Sequence, residues 1–233
     1  MLSYILTRFS IFDYNFKGYE ITRNNSEEEY YDLLFSSKRL NYKFNFFEKI
    51  TLPSIVHQIN KNYIWNIYTS EYLPEEYKNK LMELTSPYKK INVYYVKSFK
   101  CFYKSITNIT TSTGFKYCTI RLDDDDGLSD NFIQNLQKYK NRDKVIISHP
   151  NGTMVTLNNK SCDKLISGKK VSKLNNAQGL CAIGMNIYSC GNHTKVAEKY
   201  RVIYDNTPDM YQVNCDEEYS DTKRKFLEND MEN

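Results

Sequence analysis

Four consecutive aspartates, Asp123-Asp124-Asp125-Asp126, come at the end of the apolar run that begins Tyr117-Cys118-Thr119-Ile120, and Gly127-Leu128-Ser129 follows them. Carboxylates crowded this closely repel one another and destabilise a compact chain unless something positive neutralises them. A hard divalent cation does so readily, because Mg²⁺ and Mn²⁺ choose carboxylate oxygens and leave coordination positions for substrate phosphates. A solvated acidic turn is the plainer alternative. The order of strand, acid cluster, glycine and helix cap favours a metal-binding strand end.

The flanking periodicities fit that placement. Leu2, Tyr4, Ile5 and Leu6 suit a buried first strand ending near Arg8. Ser26 and Glu29 form a capping box for a helix carrying Tyr30, Tyr31, Leu33 and Leu34. Leu40, Phe44, Phe47 and Ile50 continue at helical spacing, and Pro53 bends or restarts that helix through Ile55, Val56 and Ile59. Strands are expected at 63–68, 91–96 and 117–122, with a helix opened by Pro74 and another capped by Ser129.

Strands alternating with helices to about residue 140 predict an α/β fold, a Rossmann-type, mostly parallel sheet flanked by helices. In such sheets ligands sit at the carboxyl ends of strands, where the aspartates lie. Beyond 143 the short apolar runs 145–148, 153–156 and 180–183 predict a mixed or antiparallel part, followed by helices near 193–199 and 216–228.

Composition narrows the function classes. The 233 residues suffice for one sizeable core, and the absence of a Pro/Gly/Ser-rich linker predicts a single domain, 1–233. Within it, 1–140 reads as the nucleotide-binding half, 141–215 as the acceptor side, and 216–233 as a C-terminal helix or tail. The net charge of +4 is dispersed among neighbouring acids, which argues against nucleic acid. Six cysteines show neither CxxC nor zinc-finger spacing, and Cys118 and Cys181 read as small core residues. The opening Met1–Arg8 is too short for a signal peptide and no run approaches a membrane span, so a cytoplasmic compartment is expected.

Several segments together resemble the rhamnosyltransferase-like family of GT-A-type glycosyltransferases. They are Leu6-Thr7-Arg8-Phe9, Phe46-Phe47-Glu48-Lys49, Leu52-Pro53-Ser54-Ile55 with Gln58, Arg121-Leu122 leading into the aspartates, Gln178-Gly179-Leu180, and Gly191-Asn192-His193-Thr194-Lys195-Val196. The resemblance covers residues from about 4 to 200 in the expected order. It implies a GT-A fold and metal-dependent transfer of a sugar from a nucleotide-diphosphate donor to a glycan or other hydroxyl acceptor, in a setting such as polysaccharide biosynthesis. It also implies that the acidic run is the Asp-x-Asp signature and that Mn²⁺ or Mg²⁺ is the cofactor.

The chemistry assigns candidate roles. Breaking the bond between C1 and a diphosphate gathers negative charge on the leaving group, which a divalent metal neutralises as a Lewis acid. By analogy with the motif, Asp123 and Asp124 are placed on the nucleotide side, and Asp125 and Asp126 on the metal. Arg121, two residues before Asp123 on one strand face, and Arg8 are candidates for donor phosphate. Asp216 and Glu217 are candidates for a general base, and Asp216, His149 or water for a third metal ligand; His193 is left outside the catalytic set. Two readings compete. A nucleotidyltransferase would bring a glycine-rich, lysine-containing loop near the first strand, and only Lys17-Gly18 stands there. A non-catalytic module with a structural Ca²⁺ site would show the spacing and distal glutamate of an EF-hand, which the run lacks; a degenerate, binding-only transferase stays open, since the third ligand and the base are unassigned.

Overall fold

The computed structural model of the chain describes residues 1–18, 20–112, 116–157, 165–175 and 177–214. Its first half runs β1 (Leu2–Phe9), α1 (Glu20–Arg23), α2 (Glu27–Phe35), α3 (Ser37–Phe46), α4 (Leu52–Val56), β2 (Tyr63–Ser70), α5 (Glu75–Thr85), β3 (Ile91–Val96), α6 (Phe99–Ser112) and β4 (Tyr117–Arg121). Then come β5 (Gly127–Leu128), α7 (Phe132–Leu136), β6 (Val145–Ser148), β7 (Asn151–Leu157), β8 (Leu165–Ser172), β9 (Cys181–Ile183), β10 (Arg201–Tyr204) and β11 (Tyr211–Asn214).

Seven strands form one sheet in the order β10-β6-β9-β4-β1-β2-β3. β1, β2, β3 and β4 are mutually parallel, and only β9 runs against its neighbours β4 and β6. This is the α/β fold expected from the alternating pattern. β1 lies centrally and is covered on both faces, as a parallel strand must be. Its alternate residues feed two cores: Ile5 and Phe9 pack with α2–α5 and α7, whereas Tyr4 and Leu6 pack with α6 and the segment Ile187–Val196. A second sheet, β5-β11-β7-β8, is mixed, in keeping with the change of texture after residue 143.

Local chemistry explains the elements around the site. The Ser26–Glu29 capping box forms in both directions, at 3.2 Å from Glu29 N to Ser26 Oγ and 2.7 Å from Ser26 N to Glu29 Oε2. The long helix expected from Leu40 onward is interrupted by a π turn, Phe47–Thr51, in which Leu52 N–H donates to the Phe47 carbonyl. Pro53 has no N–H to continue the ladder, and the wider turn gives its ring room. α4 then stops at Val56, which leaves Ile59 60% exposed.

Pro74 opens α5 as expected, standing at its N-cap with an extended ψ that sets the chain up for the helix. Ser129 does not cap α7: Asn131 does, and Ser129 Oγ instead donates to Asn131 Oδ1 at 2.9 Å. The helix expected over 193–199 is a 3₁₀ segment, His193–Glu198, and the one over 216–228 lies outside the described residues. Among the described residues no helix is long and apolar enough to cross a membrane.

Candidate active site

β4 carries the chain to the carboxyl edge of the large sheet, and Leu122 N–H remains bonded to the Leu6 carbonyl at 3.2 Å. The backbone then turns, with Asp126 N–H on the Asp123 carbonyl at 3.3 Å, and enters β5, which pairs with β11. The acidic run is therefore the link between the two sheets, at the ends of β1 and β4. Asp124 and Asp126 are buried, at 5% and 1% exposure, whereas the Asp123 and Asp125 side chains retain 24% and 16%.

Cations from three elements meet these carboxylates. Lys43, on α3 and 4% exposed, places Nζ 3.0 Å from Asp124 Oδ1 and 2.9 Å from Asp125 Oδ2. Arg121 Nη2 lies 3.2 Å from Asp123 Oδ2, and Arg8 Nη2 3.7 Å from Asp123 Oδ1. Both guanidinium groups also approach the Tyr188 ring, at 5.0 Å for Arg8 and 5.8 Å for Arg121. The Tyr188 hydroxyl donates to the Leu6 carbonyl at 3.3 Å, which anchors that platform on β1. Burial raises the Tyr188 pKa against the pull of Arg8 and Arg121.

The turn is clamped from behind. Thr51 Oγ1, in the π turn, donates to the Asp124 carbonyl at 3.0 Å, and Gln178 Nε2 donates to Asp126 Oδ2 at 2.6 Å. Gly179 follows at φ +66°, with Phe132 carbons within 3 Å of where a Cβ would stand. Its N–H bonds the Arg121 carbonyl at 3.0 Å, and so ties the Gln178 loop to the end of β4. Only a glycine allows both that conformation and that approach.

His193 is drawn into the same field. Burial first, then Arg121, Lys173 and Arg8, outweigh Asp123 and lower its pKa from 6.5 to about 4. Its imidazole is therefore neutral at pH 7, able to donate through one nitrogen and accept through the other. His149 is engaged elsewhere: it is buried against Phe132 (ring centroids 4.7 Å apart), with Nε2 3.4 Å from Asp205 Oδ2. Asp205 also accepts from Asn135 Nδ2 and Lys138 Nζ, each at 2.7 Å, and from Thr207 Oγ1 at 2.7 Å. Asp216 and Glu217 lie outside the described residues.

The donor set suits a hard cation, since every exposed ligand is a carboxylate oxygen. No group of three or more His, Cys, Asp or Glu side chains is poised for a metal among the described residues. Mg²⁺ is nonetheless commonly held by one or two carboxylates, with substrate phosphates and water completing the shell. Asp123 and Asp125, which keep part of their carboxylate surface open, fit that mode; Asp126, turned inward onto Gln178, does not offer the same face.

Lys43, Thr51, Gln178 and His193 are parts of the site that local sequence patterns do not mark. One signal for Lys43 was available: it falls between Leu40 and Phe44 on a helix face of large apolar residues, where an uncompensated ammonium would be costly. The order of the resembling segments had included Gln178 and His193 without indicating that they converge on the aspartates.

Residues 4–229 match the family described as "Putative rhamnosyl transferase". The chain belongs to this family. Solved structures similar to this rhamnosyl transferase family member include S. aureus TarS 1-349 in complex with UDP-GlcNAc, at 10% identity and a TM-score of 0.50, over 93% of this chain and 59% of that one. S. aureus TarS 1-349 alone gives 8% identity and 0.47, over 92% of this chain and 60% of that one. GalNAc-T7 with UDP, GalNAc and Mn²⁺ gives 9% and 0.38, over 74% and 25%. The chain thus spans about three-fifths of the TarS fragment, and the likeness is one of fold. No curated protein sequence matches the chain.

Proposed function

We propose that this member of the rhamnosyl transferase family moves a sugar from a nucleotide-diphosphate donor to a glycan or other hydroxyl acceptor, with a divalent metal. One observation carries the reading: at the carboxyl ends of β1 and β4, partly exposed Asp123 stands beside Arg8 and Arg121, and partly exposed Asp125, two residues on, is held by Lys43. Carboxylates for a cation and guanidinium groups for phosphate are the two complements a metal–diphosphate needs. TarS, on the same fold, is described with UDP-GlcNAc, which supports a nucleotide-sugar donor here.

Asp123 and Asp125 would hold Mn²⁺ or Mg²⁺, with Asp124 and Asp126 shaping the turn behind them. The cation, when bound, supplies positive charge to the departing diphosphate. Arg8 and Arg121, both held over Tyr188 rather than free to swing, would bind phosphate oxygens of the donor. Lys43 holds Asp124 and Asp125 in place. Neutral His193, in the same field, can accept a hydrogen bond from a sugar hydroxyl or donate one. An acceptor hydroxyl needs a general base, for which Asp216 and Glu217 are the candidates.

The test is calorimetric binding of UDP, GDP and dTDP with Mn²⁺ and with EDTA, to the wild type and to Asp125→Ala. Metal-dependent binding of one nucleotide, lost in the variant, is the expected result. Binding of none of them by the folded protein with Mn²⁺ present would overturn the donor site.

A further inference from the structure

A cleft of about 450 Å³ lies beside Phe12, Glu27, Glu28, Tyr31 and Tyr72. That volume falls within the roughly 300–1,000 Å³ of small-molecule sites. Phe12 comes three residues after β1 and Tyr72 two after β2. β1 and β2 are parallel neighbours, so the cleft opens on the sheet edge that also carries Arg8 and the aspartates. We propose that this cleft is a carbohydrate subsite, which binds a pyranose unit of the acceptor glycan.

The lining chemistry narrows the occupant. Tyr31 and Tyr72 are exposed at 39% and 50% and present ring surface at the cleft. Both stand edge-to-face against Phe12, at 5.5 and 5.7 Å, and Phe12 is stacked on Tyr30 at 5.0 Å. The rings are therefore held rigid, and presenting them to a ligand costs little ordering entropy. Glu27 and Glu28 stand in the first turn of α2, positioned by the Ser26 cap. Two carboxylates repel phosphate, so the cleft is not a second diphosphate site. Both carboxylates are solvent-exposed, so an occupant with hydroxyls gains hydrogen bonds that a purely apolar one could not make. A pyranose answers both demands: its C–H face lies on an aromatic ring and its hydroxyls donate to carboxylates. A quaternary ammonium is the other chemistry aromatic rings and acids attract, but it calls for converging ring faces, and Tyr30 already covers one face of Phe12.

The inference rests on the glycosyltransferase reading, and the experiment separates the two. Saturation-transfer NMR, with irradiation of aromatic protons, would use the methyl glycosides of glucose, N-acetylglucosamine and rhamnose as probes on wild type, Tyr72→Ala and Glu28→Gln. The expected result is transfer to sugar C–H protons in the wild type, reduced several-fold in both variants, with UDP, GDP or dTDP binding unchanged. Three results would overturn the subsite: no transfer to any glycoside, equal transfer in all three proteins, or displacement of the sugar by choline or by uridine or guanosine. Loss of nucleotide binding in the wild type would instead remove the donor site and leave the sugar result to stand alone.

Discussion

Lys43 Nζ lies 2.9 Å from Asp125 Oδ2, although the two residues are 82 positions apart and the lysine side chain is 4% exposed. A buried ammonium persists only where fixed carboxylates repay its lost hydration. Replacing Lys43 with Met should cost about 3–5 kcal/mol, the range for breaking a buried pair. Urea unfolding would measure it, and adding Asp124→Asn should recover part of the loss, because the neighbouring negative charge is then gone.

Arg8 and Arg121 share Asp123 and the Tyr188 ring, yet they leave different strands. Arg8→Ala and Arg121→Ala should each weaken nucleotide-diphosphate binding by about tenfold or more, equivalent to about 1.4 kcal/mol for each factor of ten. The effect should shrink with added salt, since part of it is Coulombic. Calorimetry across a salt series checks both statements.

His193 should titrate near 4 rather than near 6.5. In the unfolded chain it takes up a proton near its ordinary value, so between those two pH values the unfolded state binds more protons. Stability therefore rises with pH across that window and falls as the solution is acidified. NMR of the three histidine C2 protons gives the midpoint, and His193→Gln should flatten the stability slope between pH 4 and 6.5.

Asp205 acts in the same direction but at lower pH. Burial alone would raise its pKa, but bonds from His149, Lys138 and Thr207 outweigh that and hold it well below the usual carboxylate range. Its contribution is present above about pH 4 and is lost as the pH falls toward its folded value. Asp205→Asn should therefore lower the unfolding midpoint at pH 7, and the gap from wild type should narrow below about pH 4.

Gly179→Ala combines a left-handed backbone with a clash against Phe132. A cost of about 1–3 kcal/mol is expected from the strain, with Gln178 displaced from Asp126. Thermal unfolding measures the first effect; a parallel drop in metal-dependent nucleotide binding would report the second.

Much of the large sheet was legible because its strands are long, apolar runs set between helical periodicities. The Ser26–Glu29 box was legible for the same local reason. What could not be read were features set by distant partners. β5 has two residues and exists only because β11 pairs with it. The π turn arises from the conflict between a continuing apolar face and Pro53. The aspartates were visible as a charge problem, but the sequence pointed to a metal as the remedy. Lys43, Arg8 and Arg121 neutralise much of that charge from within the chain, and the contact that brings Lys43 there is made in three dimensions.

Because the acidic turn is tied to β1 and β4 at one end and enters β5 at the other, it works as a rivet through two plates. Sliding of the small sheet against the large one would change the span from Asp123 to Asp126. A ligand that fixes that span must in turn resist the slide. Filling the donor site should therefore slow amide exchange along β11, at Tyr211 and Gln212, although neither residue belongs to the turn itself.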